Sequence, residues 1–180
     1  MGSSMSGGLC LTVAARDLPD WPLVSVTCCS GGGDAPDNEA RKVLNSYDGT
    51  KEHMRKIVET MFVDKNFAAD AAYIDRRVEM ANLAGGWEAT AAARFRAPFQ
   101  RPAGKSERDD IRYNNITVPV LVFAGKFDTL RNPGYTDGFV PHIPDAELHV
   151  FEQAGHMGNI ECADEFNTSV LAFLNRVSPA

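Results

Sequence analysis

Residues 118–125 read VPVLVFAG and run straight into Lys126-Phe127-Asp128. A continuous apolar run that stops at a polar turn is the pattern of a strand covered on both faces, as in a parallel sheet. Pro119 stands near its start, where a missing donor is tolerated. Residues 23–29 (LVSVTCC) are rich in β-branched side chains and close on Ser30-Gly31-Gly32-Gly33, which predicts a buried strand entering a loop. Residues 147–153 (ELHVFEQ) alternate and lead into Ala154-Gly155-His156, a further strand. Residues 8–15 (GLCLTVAA) suit a short buried helix, and residues 163–177 place Phe166, Val170, Leu171, Phe173 and Leu174 on an amphipathic one. The order helix, strand, helical block, strand, strand, helix predicts an α/β fold with a parallel sheet. Only three strands are legible, few for such a sheet.

The helical block begins near Asn38. Residues 52–62 carry Met54, Ile57, Val58, Met61 and Phe62 on one side. A second helical stretch covers 68–83 and a third 87–95, followed by the polar loop QRPAGKSERDD at 100–110. The block interrupts the sheet as an inserted cap would. The expected organisation is therefore 1–37 as the start of a core, 38–110 as a helical cap and 111–180 as the rest of the core.

Composition narrows the class. The chain has 180 residues, 44% hydrophobic and 23% charged, with a formal net charge of −6. A pI near 5.2 argues against nucleic acid, because phosphate binding needs clustered Lys and Arg. No apolar run of ~18 residues is present to span a membrane. The amino-terminal MGSSMSGG has neither a basic nor an apolar segment of a secretory leader. Cys10, Cys28, Cys29 and Cys162 lack metal-ligand spacing, and three of them lie among apolar residues. That suits reduced, buried thiols in a cytoplasmic protein.

Two of the strands end in polar clusters. Sites in open α/β sheets form beyond the carboxyl ends of strands, which places Asp128 and His156 on one edge. Each residue alone also reads as a cap, of a turn or of a helix. Together, at consecutive strand ends, they point to an acid that orients a His. A nucleophile would precede a helix on a tight turn, and Gly2-Ser3-Ser4-Met5-Ser6-Gly7-Gly8 supplies Ser4. The chain order Ser4, Asp128, His156 matches that of the G-x-S-x-G hydrolases. A Ser/Gly-rich amino terminus also reads as a frayed end.

These residues resemble the second half of an α/β-hydrolase fold enzyme. Within that superfamily the chain is similar to the meta-cleavage-product hydrolases, serine enzymes that cut carbon–carbon bonds in ring-fission products of aromatic compounds. GSSMSGG resembles the nucleophile elbow of that group, commonly G-N-S-M-G-G. VPVLVFAGKFD resembles the strand that carries the triad Asp. GHMGNIECADEFNTSVLAFL at 155–174 resembles its carboxy-terminal block, most specifically in Ala163-Asp164-Glu165-Phe166-Asn167. Asp75-Arg76-Arg77-Val78-Glu79 matches the place of an Arg followed by x-Glu, so the resemblance implies that Arg77 binds a substrate carboxylate or keto oxygen. It likewise implies a Ser4-Asp128-His156 triad and an oxyanion donor in the backbone N–H of Met5. Met157 stands where the group keeps Trp, which alters a pocket wall. Ser6 replaces an elbow Gly, and a Cβ there is expected to misplace the turn.

The resemblance also places the earlier strands and a second oxyanion donor ahead of the first residue. Loss of such a donor costs on the order of 10²–10³ in rate. A sheet beginning here is expected to leave residues 23–29 as an unpaired apolar edge, open to homo-oligomer formation. Three readings follow: a serine hydrolase acting on a small carbonyl-containing acid, a non-catalytic fragment or subunit completed by a partner half, and an ester or lactone hydrolase on the same scaffold. Ser4 speaks against relatives with an Asp nucleophile. The partner is a small-molecule substrate, and no metal or organic cofactor is implied. Trp21 and Trp87 read as packing anchors, with Trp87 also placed to line a substrate pocket. His142 and His149 read as surface or strand residues, and His53 as solvated. Asn159 and Glu161 either hold the His156 loop or touch substrate.

Overall fold

Four parallel strands lie side by side in the order in which they occur in the chain. The computed structural model describes residues 1–17, 22–86, 88–89 and 111–177. Strand β1 (Gly2–Ser3) leads into helix α1 (Met5–Ala14), and β2 (Val26–Cys29) follows. A helical layer comes next: α2 (Glu39–Asn45), α3 (Lys51–Met61), α4 (Asn66–Ala69) and α5 (Ala71–Ala81). Strands β3 (Val120–Gly125) and β4 (Ala146–Phe151) complete the sheet, and helices α6 (Gly158–Glu161) and α7 (Ala163–Val177) end the described chain.

Both faces of the sheet are covered at β2 and β3, as their unbroken apolar runs require. On one face, Cys28, Val120 and Val122 pack with Leu11 and Ala14 of α1 and with Phe139 and Ile143. On the other, Cys29, Leu121 and Phe123 pack with Val170 and Phe173 of α7. The vicinal thiols therefore point to opposite sides, as period-two geometry demands. The register sets Ser3 beside Cys29 and Cys29 beside Phe123, with Phe123 beside His149. The strands thus discharge their carboxyl ends along one edge.

The structure corrects the expected outline in four places. A fourth strand exists, only two residues long, and it pairs with β2. The strand expected over 23–29 is accordingly not the edge of the sheet: β2 lies between β1 and β3, Cys28 and Cys29 pair with β1, and all four residues of β2 are buried. The helix expected over 68–83 is two helices, because Asp70 takes an extended backbone and its side chain accepts from Ala72 N and Tyr73 N. This competition by a short acidic side chain is what ends α4 and caps α5. His53 is not solvated: its Nε2 lies 3.0 Å from the Val43 carbonyl, and only 16% of its side chain is exposed. Residues 87–95, apart from 88–89, and the loop 100–110 lie outside the described residues, as do Trp21 and Trp87.

The helical layer has its own core, in which Met54, Ile57, Val58, Phe62 and Ile74 are buried. Among the described residues, no helix is long and apolar enough to cross a membrane.

Burial pushes the Cys28 thiol up to about 12 and raises Cys29 in the same direction. The thiolate is the reactive form, so iodoacetamide at about pH 8 is expected to alkylate the half-buried Cys10 and Cys162 and to spare Cys28 and Cys29. Peptide mass spectrometry of native and denatured chain checks this. The unfolded chain releases these protons first, so stability is complete below the ordinary thiol value of 9.0 and falls as pH climbs toward about 12.

Candidate active site

Ser4 occupies the turn between β1 and α1 with φ 53° and ψ −117°. A side-chain-bearing residue avoids this region at a cost of about 1–3 kcal/mol, and it persists only where neighbours over-determine it. Here they do. Ser4 N donates to the Cys29 carbonyl at 2.7 Å, and the Ser4 carbonyl accepts from Gly8 N at 3.1 Å. Ser6 closes the turn from outside, its hydroxyl accepting from Ser3 N at 3.0 Å and donating to Ser3 O at 2.7 Å. The expectation that a Cβ at Ser6 would misplace the turn is therefore reversed: Ser6 is exposed and ties the elbow together. The tight positions are Gly2, where a Cβ would overlap the Ser6 carbonyl oxygen, and Gly31, where one would stand 2.7 Å from both Ser4 O and Gly8 N. Met5 opens α1, so its N–H has no helical carbonyl behind it and points outward from the helix start.

Asp128 follows β3 in a turn closed by Asp128 N donating to Gly125 O at 3.2 Å. Its Oδ1 accepts from Leu130 N at 2.9 Å, and its Oδ2 lies 2.7 Å from His156 Nδ1. Both side chains are almost fully enclosed, 2% and 1% exposed respectively. An ionised carboxylate only accepts, so Nδ1 carries a proton, and in the neutral imidazole Nε2 then keeps its lone pair. That Nε2 is 2.7 Å from Ser4 Oγ, whose O–H donates to it when the imidazole is neutral. Ser4, His156 and Asp128 thus form one hydrogen-bonded line spanning the ends of β1, β4 and β3. Such a line can draw a proton from a hydroxyl and stabilise the resulting imidazolium.

The other expected residues are placed less closely. Met157 packs against the core of the helical layer. Arg77 lies on α5, its guanidinium 5.9 Å from the Tyr73 ring centroid and its Nη1 3.5 Å from the Tyr73 hydroxyl. Trp87 lies outside the described residues. Among these residues, no group of three or more His, Cys, Asp or Glu side chains could hold a metal ion.

One residue escaped the sequence reading. Arg131 is buried, and its Nε and Nη2 donate to the Ser30 carbonyl at 3.2 and 2.9 Å. Its Nη1 donates to Asp34 O at 3.3 Å, and the guanidinium lies 5.1 Å from the Tyr135 ring centroid. Ser30 has φ 51° and directly follows Cys29, whose carbonyl holds Ser4. Arg131 therefore braces the turn behind the elbow from the loop that bears Asp128. Nothing local in the sequence distinguishes it from a solvated cation.

The fold that brings these strand ends together is shared with known structures. The chain superimposes on a meta-cleavage product hydrolase from Pseudomonas fluorescens IP01 with a TM-score of 0.79 at 24% identity, covering 97% of this chain and 63% of that one. The chain has the α/β-hydrolase fold. In sequence, the chain is 28% identical over 180 residues to 2-hydroxymuconate semialdehyde hydrolase of Pseudomonas sp. (strain CF600), with 100% of the chain aligned to 62% of that relative. The fold also matches an enol-lactonase from Burkholderia xenovorans LB400, with a TM-score of 0.69 at 20% identity over 97% of this chain and 64% of that one. No family model matches the sequence. The chain spans about three fifths of the length of these relatives.

Arg131→Met leaves the buried Ser30 carbonyl without its donor and is expected to cost about 3 kcal/mol. Urea denaturation of the variant against the parent chain measures it.

Proposed function

We propose that this chain carries the catalytic triad of a serine hydrolase that cleaves a carbon–carbon bond in a small acid bearing a carbonyl, of the kind formed by ring fission of an aromatic compound. The observation that carries the reading is the unbroken line Ser4 Oγ, His156 Nε2, His156 Nδ1, Asp128 Oδ2, with 2.7 Å at both polar contacts. The likeness to 2-hydroxymuconate semialdehyde hydrolase supports the choice of bond and substrate class.

In this reading Ser4 Oγ attacks the carbonyl carbon while its proton passes to His156 Nε2. Asp128 holds the imidazole in the required tautomer and stabilises the imidazolium. The Met5 N–H donates to the oxyanion that develops, a role suited to a helix amino terminus. His156 then returns the proton to the departing carbon, leaving an acyl group on Ser4. Water, deprotonated by His156, releases that acyl group as an acid. The helices between β2 and β3 act as a cap over the site, from which Arg77 meets the substrate, with Met157 forming part of the pocket wall. A reduced, cytoplasmic setting fits the reading, and the four free cysteines support it.

A second reading keeps the triad and changes the bond. The fold likeness to an enol-lactonase favours an ester or lactone as the alternative substrate.

Fluorophosphonate labelling followed by peptide mapping tests the shared part of both readings. The adduct is expected on Ser4, and His156→Ala is expected to slow its formation by about 10²-fold or more. Absence of any Ser4 adduct overturns the proposal. Turnover of a vinylogous diketone acid compared with p-nitrophenyl esters then separates carbon–carbon from ester cleavage.

A further inference from the structure

The end of α3 is fastened to both turns that carry the proposed acid and base. Thr129 Oγ1 donates to the Thr60 carbonyl at 2.7 Å. His156 N donates to the Met61 carbonyl at 2.9 Å. The approach is close enough that a Cβ on Gly155 would stand 2.7 Å from that same carbonyl. Between the two segments lies the carboxylate of Glu161, in α6. One of its oxygens accepts from Val63 N at 2.6 Å and Asp64 N at 2.9 Å, and the other accepts from Gly155 N at 2.7 Å.

Three backbone donors from two distant stretches converge on one side chain. Among the described residues no salt bridge engages Glu161, so its polar contacts go to the backbone at the junction. Hydrogen bonds to an ionised acceptor are about twice as strong as neutral ones. Helix α6 has only four residues, too short to hold the preceding turn by its own hydrogen bonds. Glu161 therefore holds residues 154–156 alongside the backbone hydrogen bonds from Phe127 N to Ala154 O and from His156 N to Met61 O.

We propose that Glu161 is a positioning residue for His156. Its carboxylate locks the Gly155-His156 turn to Val63 and Asp64, which keeps the imidazole on the line between Asp128 and Ser4. The helical layer is then part of the frame that aligns the site, and not a lid that could be removed without disturbing it. The kinetic consequence rests on the triad reading above; the effect on the His156–Asp128 hydrogen bond does not.

The test uses the full chain with Glu161→Ala and Glu161→Gln and reads two quantities. One is the low-field proton resonance of His156 Nδ1–H, identified by its loss in His156→Ala. The other is the rate of fluorophosphonate labelling at Ser4. Glu161→Ala is expected to broaden or abolish the resonance and to slow labelling about 10²-fold, the scale of a small misplacement. Glu161→Gln, which can accept at one end only, is expected to fall between that variant and the parent. Should Glu161→Ala fail to fold, Glu161→Gln decides by the same two readings. A resonance kept in the folded variants, with labelling within about twofold of the parent, overturns the proposal. If the parent chain itself does not label, the function proposed above fails, and the resonance alone decides the role of Glu161.

Discussion

Gly125 ends β3 against the backbone of the turn that follows β4. A Cβ on Gly125 would overlap the Gly155 carbonyl oxygen and would stand 2.8 Å from that of Ala154. The two turns nest through this contact, and Phe127 N donates to Ala154 O at 3.0 Å across it. Three residues beyond Gly125 stands Asp128, and one beyond Gly155 stands His156. Their 2.7 Å contact is thus a consequence of backbone meeting backbone. Two long side chains reaching across a gap would lose more conformational entropy for the same geometry.

The nucleophile's position has a different origin. Ser4 and Ser30 are the two side-chain-bearing residues of the described chain with positive φ, and they stand at the ends of adjacent parallel strands. Their strain, about 1–3 kcal/mol each, is offset because each is gripped from beyond its own turn. The Cys29 carbonyl holds Ser4 N, and the Arg131 guanidinium holds the Ser30 carbonyl. Arg131 comes from the same loop as Asp128, so the acid loop also steadies the turn behind the nucleophile. Burying a cation is unfavourable unless its donors are used; here they are used on the Ser30 and Asp34 carbonyls.

Much of the scaffold was legible because period and polarity are local properties. The limits of α7 agree with the amphipathic run 163–177. Strands β3 and β4 agree with their apolar stretches to within two residues. Strand β1 was not legible, since Gly2-Ser3 has no apolar pattern and becomes a strand only because β2 lies beside it. The break at Asp70 was missed because helical period continues through it, while the side chain's hydrogen bonds to Ala72 N and Tyr73 N do not show in a periodicity count. Arg131 was hidden for a further reason, its partner lying about a hundred residues away in the chain; for Glu161 the sequence offered holding the His156 loop as one of two roles but not the distant partners Val63 and Asp64.

By itself, then, the sequence determined an α/β chain with a parallel sheet and Asp128 and His156 at consecutive strand ends, because side-chain period and strand termini are written residue by residue. The tertiary structure alone decided that Ser4 meets His156 at 2.7 Å, that Ser6 ties the elbow it was expected to spoil, and that the helical layer is bolted to the His156 turn. Those outcomes depend on register, on close backbone approach and on hydrogen bonds between distant segments, none of which has a local signature.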